Sequence, residues 1–132
     1  MVTCVTHGCR EIFADFVIGR ILVRELRATD IAGCSSTLAY VVMPDHLHWL
    51  FELGTRDSLS GVVGNLKSNS ARKINRVSGR CGQPLWQRGF HDHAMRTDES
   101  VIDAARYIIA NPLRACLVEQ VGDYALWDAV WL

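Results

Sequence analysis

Three features of the sequence predict an α+β domain in which a single antiparallel sheet is flanked by helices. Two strand-like runs within residues 40–53 are separated only by Pro44 and Asp45, and runs that close in sequence pair antiparallel. Two longer stretches, 11–29 and 58–77, repeat their apolar residues at helical spacing, the pattern of helices laid on a sheet. At 132 residues the whole chain, 1–132, fits one domain that can bury a core without metal or disulfide staples.

Taken in order, residues 1–9 set Val2 and Cys4 against Thr3 and Val5 before Gly8, a short β-prone run and the first strand. In 11–29, Ile12, Phe13, Phe16, Val17, Ile21 and Leu22 form an apolar stripe, with Arg20, Arg24 and Arg27 elsewhere on the wheel. Small residues at 32–36 predict a turn. Residues 37–43 then read as a second strand and 46–53 as a third, with the proline at the bend where it is best tolerated. In 58–77 the stripe is Leu59, Val62, Val63, Leu66, Ile74 and Val77, interrupted by Asn69 and Ser70. Gly61 and Gly64 each weaken that helix by roughly 1 kcal/mol relative to alanine. Residues 79–84 form a loop, and 85–95 predicts another strand, kinked at Gly89. A last helix opens on Thr97 with an acidic first turn. It buries Ile102, Ala105, Ile108 and Ile109 and stops at Asn111-Pro112, since the residue before a proline is pushed out of helical geometry. In the tail, Tyr124, Trp127 and Trp131 predict aromatic packing over the sheet.

The net charge is zero, which on its own argues weakly against a nucleic-acid partner. Its distribution argues otherwise. Between Ser58 and His91 stand Lys67, Arg72, Lys73, Arg76, Arg80 and Arg88 with no acidic residue, so this third projects a positive field. The five cysteines are odd in number and never spaced Cys-x-x-Cys, which predicts neither a disulfide framework nor a zinc knuckle; they read as reduced, small apolar residues. No basic leader precedes an apolar run, and no stretch has the length of a membrane span, so a cytoplasmic location and no membrane partner are expected.

Chemistry centres on residues 40–53. Side chains alternate along a strand, so His46, His48, Leu50 and Glu52 share one face while Leu47, Trp49, Phe51 and Leu53 take the other. Two imidazoles about 6 to 7 Å apart on a rigid strand can converge on one ion if a third ligand arrives from elsewhere. On the last helix, Asp103, Tyr107 and Asn111 fall four apart on one line, which places an oxygen ligand one turn from a nucleophile. A His-His-Asn set with open positions suits Mg²⁺ or Mn²⁺, whereas a closed zinc site takes four protein ligands. A phosphodiester neutralised at such an ion is open to attack by a tyrosine hydroxyl. Spacing alone leaves the plainer reading open, in which the tyrosine packs and the histidines are polar surface.

The motifs carry a resemblance. His46-Leu47-His48 resembles the His-hydrophobe-His motif of the HUH endonuclease superfamily, in the form that 40–48 takes in single-tyrosine transposases. Leu66-Lys67-Ser68 with Ile74-Asn75, then Leu85-Trp86-Gln87, the run 106–115, and Leu117-Val118 are similar to the REP-associated tyrosine transposases of bacteria. The resemblance spans about residues 1–128. It implies a ferredoxin-like or RRM-like HUH nuclease core that cuts and rejoins single-stranded DNA at or near hairpins. In that scheme Tyr107 forms a 5′-phosphotyrosine and releases a 3′-OH, while His46, His48 and Asn111 hold the divalent ion. No external energy source is implied, because the phosphotyrosine conserves the ester. Lys67, Asn69, Arg72, Arg76 and Arg88 are candidates for DNA phosphates, with Trp86 or Phe90 stacking a base. Asp92 and His93 are assigned a supporting role. A homodimer and a monomer both stay open.

The sequence departs from the family pattern at Cys116, where glycine is usual. It also has a shorter start than some members and lacks the long basic tail that some use on DNA, which would weaken DNA binding more than chemistry. Two other readings stand beside the first: a catalytically silent DNA-hairpin-binding protein derived from a transposase, and a metal hydrolase built from His46, His48, His91 and His93 with water as nucleophile.

Overall fold

Pro44 and Asp45 form the two-residue turn between the two longest strands, so Met43 pairs with His46 and Val41 with His48. From this hairpin the sheet extends on both sides. The computed structural model describes residues 1–95 and 97–130. Among them β1 (Val2–Val5), β2 (Ser35–Met43), β3 (His46–Leu53), β4 (His91–Asp92) and β5 (Trp127–Ala129) form one sheet in the order β4-β1-β3-β2-β5. Every neighbouring pair is antiparallel. The helices are α1 (Phe16–Ile31), α2 (Leu59–Ser78), α3 (Asp98–Ile109) and α4 (Asn111–Arg114). The β1-α1-β2 crossover leaves one position that β3 fills, and α2 returns the chain to the outer edge at β4: the ferredoxin-like order. None of the described helices is long and apolar enough to cross a membrane.

Strand alternation divides the sheet into two faces. On one, Val2, Cys4, Leu47 and Trp49 are closed over by Ile18, Leu22, Val23 and Leu26 of α1 and by Val62, Val63, Leu66 and Ile74 of α2. On the other, Ala39, Val41, Met43 and Leu50 meet Ala105 and Ile108 of α3 and Ala129 of β5. Since His46 and His48 alternate with Leu47 and Trp49, they belong to this second face, hereafter the histidine face.

Several elements differ from the sequence expectation for identifiable reasons. The first helix begins at Phe16, where the Asp15 carboxylate accepts from the backbone N–H of Val17 (2.9 Å) and Ile18 (3.4 Å). Residues Ile12–Ala14 form a separate 3-10 turn that drops Phe13 into the core. This break shifts the phase of the stripe and leaves Phe16 and Val17 exposed. In α2, capped by Ser58 and ended by Gly79 in left-handed geometry, Ser70 and not the exposed Val77 completes the buried stripe. The Trp86 indole N–H donates to Ser70 Oγ at 3.0 Å, which makes a hydroxyl acceptable there.

The strand predicted for 85–95 forms only in pieces. Trp86 bridges Thr6, Gly89 turns the chain at φ 71°, and pairing resumes for two residues in β4. The Lys67 ammonium donates to the carbonyls of Gln87 and Gly89, each at 2.6 Å, and so draws them away from any ladder. The last helix is also longer in effect than predicted. Ala110 keeps helical geometry and α4 follows at once, because Pro112 sits in its first turn, where no N–H is needed. The tail adds an edge strand, with Trp127 opposite Val41 and the Tyr124 hydroxyl donating to the Val42 carbonyl, where aromatic packing alone was expected. Trp131 lies outside the described residues. Of the five cysteines, all free, only Cys4 is a buried core residue, and burial pushes its thiol up to about 11.

Candidate functional site

The two histidines converge through their outer ring nitrogens. His46 Nε2 and His48 Nε2 lie 3.1 Å apart, with the rings edge to face at 4.7 Å between centroids. Each inner nitrogen is tied. His46 Nδ1 donates to the Asp45 carboxylate at 2.6 Å, and His48 Nδ1 meets Thr3 Oγ1 at 2.8 Å across the β1–β3 pairing. Such partners fix ring orientation and turn the outer nitrogen into a directed lone pair. Burial first, then the charges of His46 and Arg114, lower His48 to about 4, so its imidazole is neutral at pH 7. Neutral imidazole is the form that binds a cation.

Three further residues lie on the α3–α4 segment, which packs on this face through Ala105 and Ile108. Tyr107 is 53% exposed, so its phenol is outside the apolar interior, on a helix whose Ala105 and Ile108 pack beside Val41 and Leu50. The Asn111 amide nitrogen is buried and has no hydrogen-bond partner among the described residues. A buried amide N–H without a partner is costly, which marks Asn111 as a side chain held in place by its surroundings rather than by a hydrogen bond of that nitrogen. Arg114 lies over the Tyr107 ring, its guanidinium carbon 3.8 Å from the centroid, and donates to the Tyr107 carbonyl at 2.7 Å.

This donor set fits a small hard cation. Two ligand atoms at right angles, each about 2.1 Å from an ion, stand about 3 Å apart, which is the separation of the two Nε2 atoms. The side-chain oxygen of Asn111, the residue one turn beyond Tyr107, would be the oxygen donor such ions prefer.

The other residues singled out in the sequence divide. Trp86 is a core residue: it stacks on Phe13 with centroids 5.4 Å apart, and its N–H is spent on Ser70, so it cannot stack a base as expected. Lys67 also serves as a latch, because two of the three N–H donors of its ammonium are taken by the two loop carbonyls. Arg72 and Arg76 are exposed on α2, over the face opposite the histidines, and the Asn69 side-chain oxygen accepts from Arg72 at 2.7 Å. Phe90 is partly buried against the α1–α2 core. Arg88 is exposed beside β1 in a groove lined by Thr3, Val5 and His91, on the edge of the histidine face. His91 pairs with Thr3, two strands from His48. Asp92 pairs with Val2, which turns its side chain to the opposite face, and His93 is exposed where its backbone pairs with Met1. Among the described residues no three His, Cys, Asp or Glu side chains converge, so His91 and His93 do not join His46 and His48 in one cluster.

Thr3, Asp45 and Arg114 were not singled out from sequence. Asp45 had a signal in its position next to His46, and Arg114 in its place seven residues after Tyr107. Thr3 had none, since only the strand register brings it to His48.

A ferredoxin-like sheet with a tied histidine pair, a buried amide and a tyrosine helix on one open face defines an α+β domain whose polar centre lies on the sheet. The chain belongs to the IS200-like transposase family, whose profile, described as "Transposase IS200 like", matches residues 28–111. A REP-associated tyrosine transposase relative from Haemophilus influenzae is 31% identical over 98 residues, covering 67% of this chain and 55% of the relative. The REP-associated tyrosine transposase of Escherichia coli strain K12 is 29% identical over 87 residues, covering 65% and 49%. The chain thus spans about half the length of these curated relatives. Among solved structures, a REP-associated tyrosine transposase bound to a REP hairpin superposes with a TM-score of 0.77 at 21% identity, over 96% of this chain and 73% of that one. A transposase structure from Deinococcus radiodurans superposes with a TM-score of 0.62, also at 21% identity, over 81% and 85%. At that identity the two structures bear on the fold.

Proposed function

We propose that this chain cleaves and rejoins single-stranded DNA at or near hairpins through a covalent phosphotyrosine at Tyr107, with Mg²⁺ or Mn²⁺ held by His46, His48 and Asn111. The observation that carries this reading is the convergence of two tied imidazoles on the sheet face against which the Tyr107 helix packs through Ala105 and Ile108. The hairpin-bound relative supports DNA as the partner.

When bound, the ion supplies Lewis-acid polarisation of the scissile phosphate. The protein's own side chains do the rest. Asp45 and Thr3 hold the imidazoles in one orientation, so the centre needs no rearrangement as charge develops. Tyr107 presents its phenol from a half-open helix, where a strand can approach. Its oxygen forms a bond to phosphorus and loses its proton; the bond from phosphorus to the 3′ oxygen breaks, and that oxygen takes up a proton as a 3′-OH. Rejoining reverses the step, and the ester is conserved throughout.

The test is incubation with a single-stranded hairpin oligonucleotide and Mn²⁺ or Mg²⁺, followed by a denaturing gel. A protein–DNA adduct is expected, absent with Tyr107→Phe and absent with chelator. Hairpin binding with no adduct under any metal would instead support the silent DNA-binding protein. An adduct that persists in Tyr107→Phe would remove Tyr107 from the chemistry.

A further inference from the structure

We propose that Arg114 clamps the scissile phosphate against Tyr107, an inference that rests on the covalent reading above and adds one catalytic residue to it. Tyr107, Asn111 and Arg114 are spaced i, i+4 and i+7. Because the backbone stays helical through Ala110, the three fall along one side of the α3–α4 segment. The guanidinium is held at two points, over the phenol ring at 3.8 Å and on the Tyr107 carbonyl at 2.7 Å. These contacts leave most of its five N–H donors unspent, and among the described residues it makes no ion pair. A planar fork of this kind matches two oxygens of a phosphodiester, which a lysine ammonium does not.

A phosphate gripped there lies next to the phenol. As the oxygen of Tyr107 bonds to phosphorus and the 3′ oxygen departs, negative charge spreads over the non-bridging oxygens, and a fixed cation beside them favours that state over the ground state. Arg114 neither gives nor takes a proton in the step, since guanidinium does not deprotonate in proteins. Its role is electrostatic and geometric.

Single-turnover adduct formation tests this with the hairpin oligonucleotide and Mn²⁺, comparing wild type, Arg114→Lys, Arg114→Ala and Tyr107→Phe. At saturating DNA, Arg114→Ala is expected to slow the adduct step about 100-fold, the usual loss for one such donor. Free guanidinium ion should restore part of that rate, a rescue that a purely structural arginine would not allow. Arg114→Lys should fall between the two, and it keeps the test open should the alanine variant fold poorly. Hairpin affinity, measured in a Tyr107→Phe background, should change less than about tenfold. Arg114→Ala at the wild-type rate, or a loss that guanidinium does not relieve, overturns the proposal. Either outcome beside an inactive Tyr107→Phe sinks only the role of Arg114, whereas an active Tyr107→Phe sinks the covalent reading itself.

Discussion

The two faces of the sheet are built from the same strands to opposite standards. Under α1 and α2 the packing is closed. Trp49, Leu47 and Cys4 are fully buried, and even the charged pair joining the two helices, Lys73 with Glu25, leaves Glu25 only 5% exposed. On the histidine face α3 covers part of the sheet and leaves the rest open: His46 and His48 are half-buried, and Tyr107 and Arg114 stand at the surface. A cavity of about 490 Å³ lies at the end of the sheet and is lined from both faces, by Leu50, Met95 and Val101 on one and by Val2, Phe51 and Leu59 on the other. Strand β3 serves both faces in alternation. Leu47 and Trp49 supply burial, while His46 and His48 present polar atoms, so stability and chemistry are separable residue by residue along one strand.

That separation can be broken most directly at adjacent positions. His48→Ala is expected to reduce adduct formation by about 1000-fold or more, the scale of several kcal/mol of lost charge stabilisation, while unfolding free energy moves by less than about 1 kcal/mol. Trp49→Ala, one residue on, should cost about 3 to 5 kcal/mol of stability through the cavity it leaves. Denaturant melts and the adduct gel on the two variants measure both axes. A His48→Ala protein that loses stability and keeps full activity would erase the distinction between the faces.

The next effect belongs to the partners behind the rings. Thr3→Val keeps the shape of the β1 side chain and removes the oxygen at His48 Nδ1. A loss of about 10- to 100-fold in metal affinity or adduct rate follows, typical of a partner that orients a ligand. Isothermal titration with Mn²⁺ reads it directly, and unchanged affinity would mean that strand packing alone aims the ring.

A smaller contrast concerns the basic residues. Lys67→Met should destabilise by about 1 to 3 kcal/mol, since two carbonyls lose a charged donor, and should leave the salt dependence of DNA binding unchanged. Arg88→Ala, at the groove beside β1, should leave stability unchanged and lower the salt slope by about 1. Exchanged outcomes would return Lys67 to the DNA and give Arg88 the structural role.

These residues also mark how far the sequence could be read. Alternation along 46–53 and the short turn at Pro44-Asp45 are local signals, and they correctly gave the central hairpin, the face of each histidine and the α+β class. Ser58 and Thr97 as helix starts were equally local. The roles of Trp86 and Lys67 were not local. Both were read as candidates for DNA contact, because an indole and an ammonium in a basic stretch suit nucleic acid, yet each has structural partners: Ser70 lies 16 residues from Trp86, and the Gln87 and Gly89 carbonyls 20 and 22 from Lys67. The break at Ile12–Ala14 escaped for a related reason, since a 3-10 turn and an α-helix in series mimic one amphipathic wheel. Thr3 reaches His48 over 45 residues, through a register that no periodicity specifies.

One departure noted in the sequence has a physical reason on the open face, and it sets the smallest effect. After α4 the Cys116 N–H donates to the Leu113 carbonyl and the Leu117 N–H to the Pro112 carbonyl, each at 3.0 Å, which is the Schellman closure of a helix end. Its C′ residue takes left-handed geometry, and Cys116 does so at φ 58°, where the related pattern has glycine. A non-glycine residue there costs roughly 1 to 2 kcal/mol. Glycine would remove that cost and lose about 0.5 to 1 kcal/mol to the entropy of the unfolded chain. Cys116→Gly is therefore expected to stabilise by about 1 kcal/mol or less, a rise of a few degrees in melting temperature. The adduct rate should stay within about twofold, because Asn111 and Arg114 lie before the cap and the closure itself is unchanged. A lower melting temperature would mean that Cys116 gains from contacts what its backbone loses, and a large change in rate would tie the end of α4 to the placement of Tyr107.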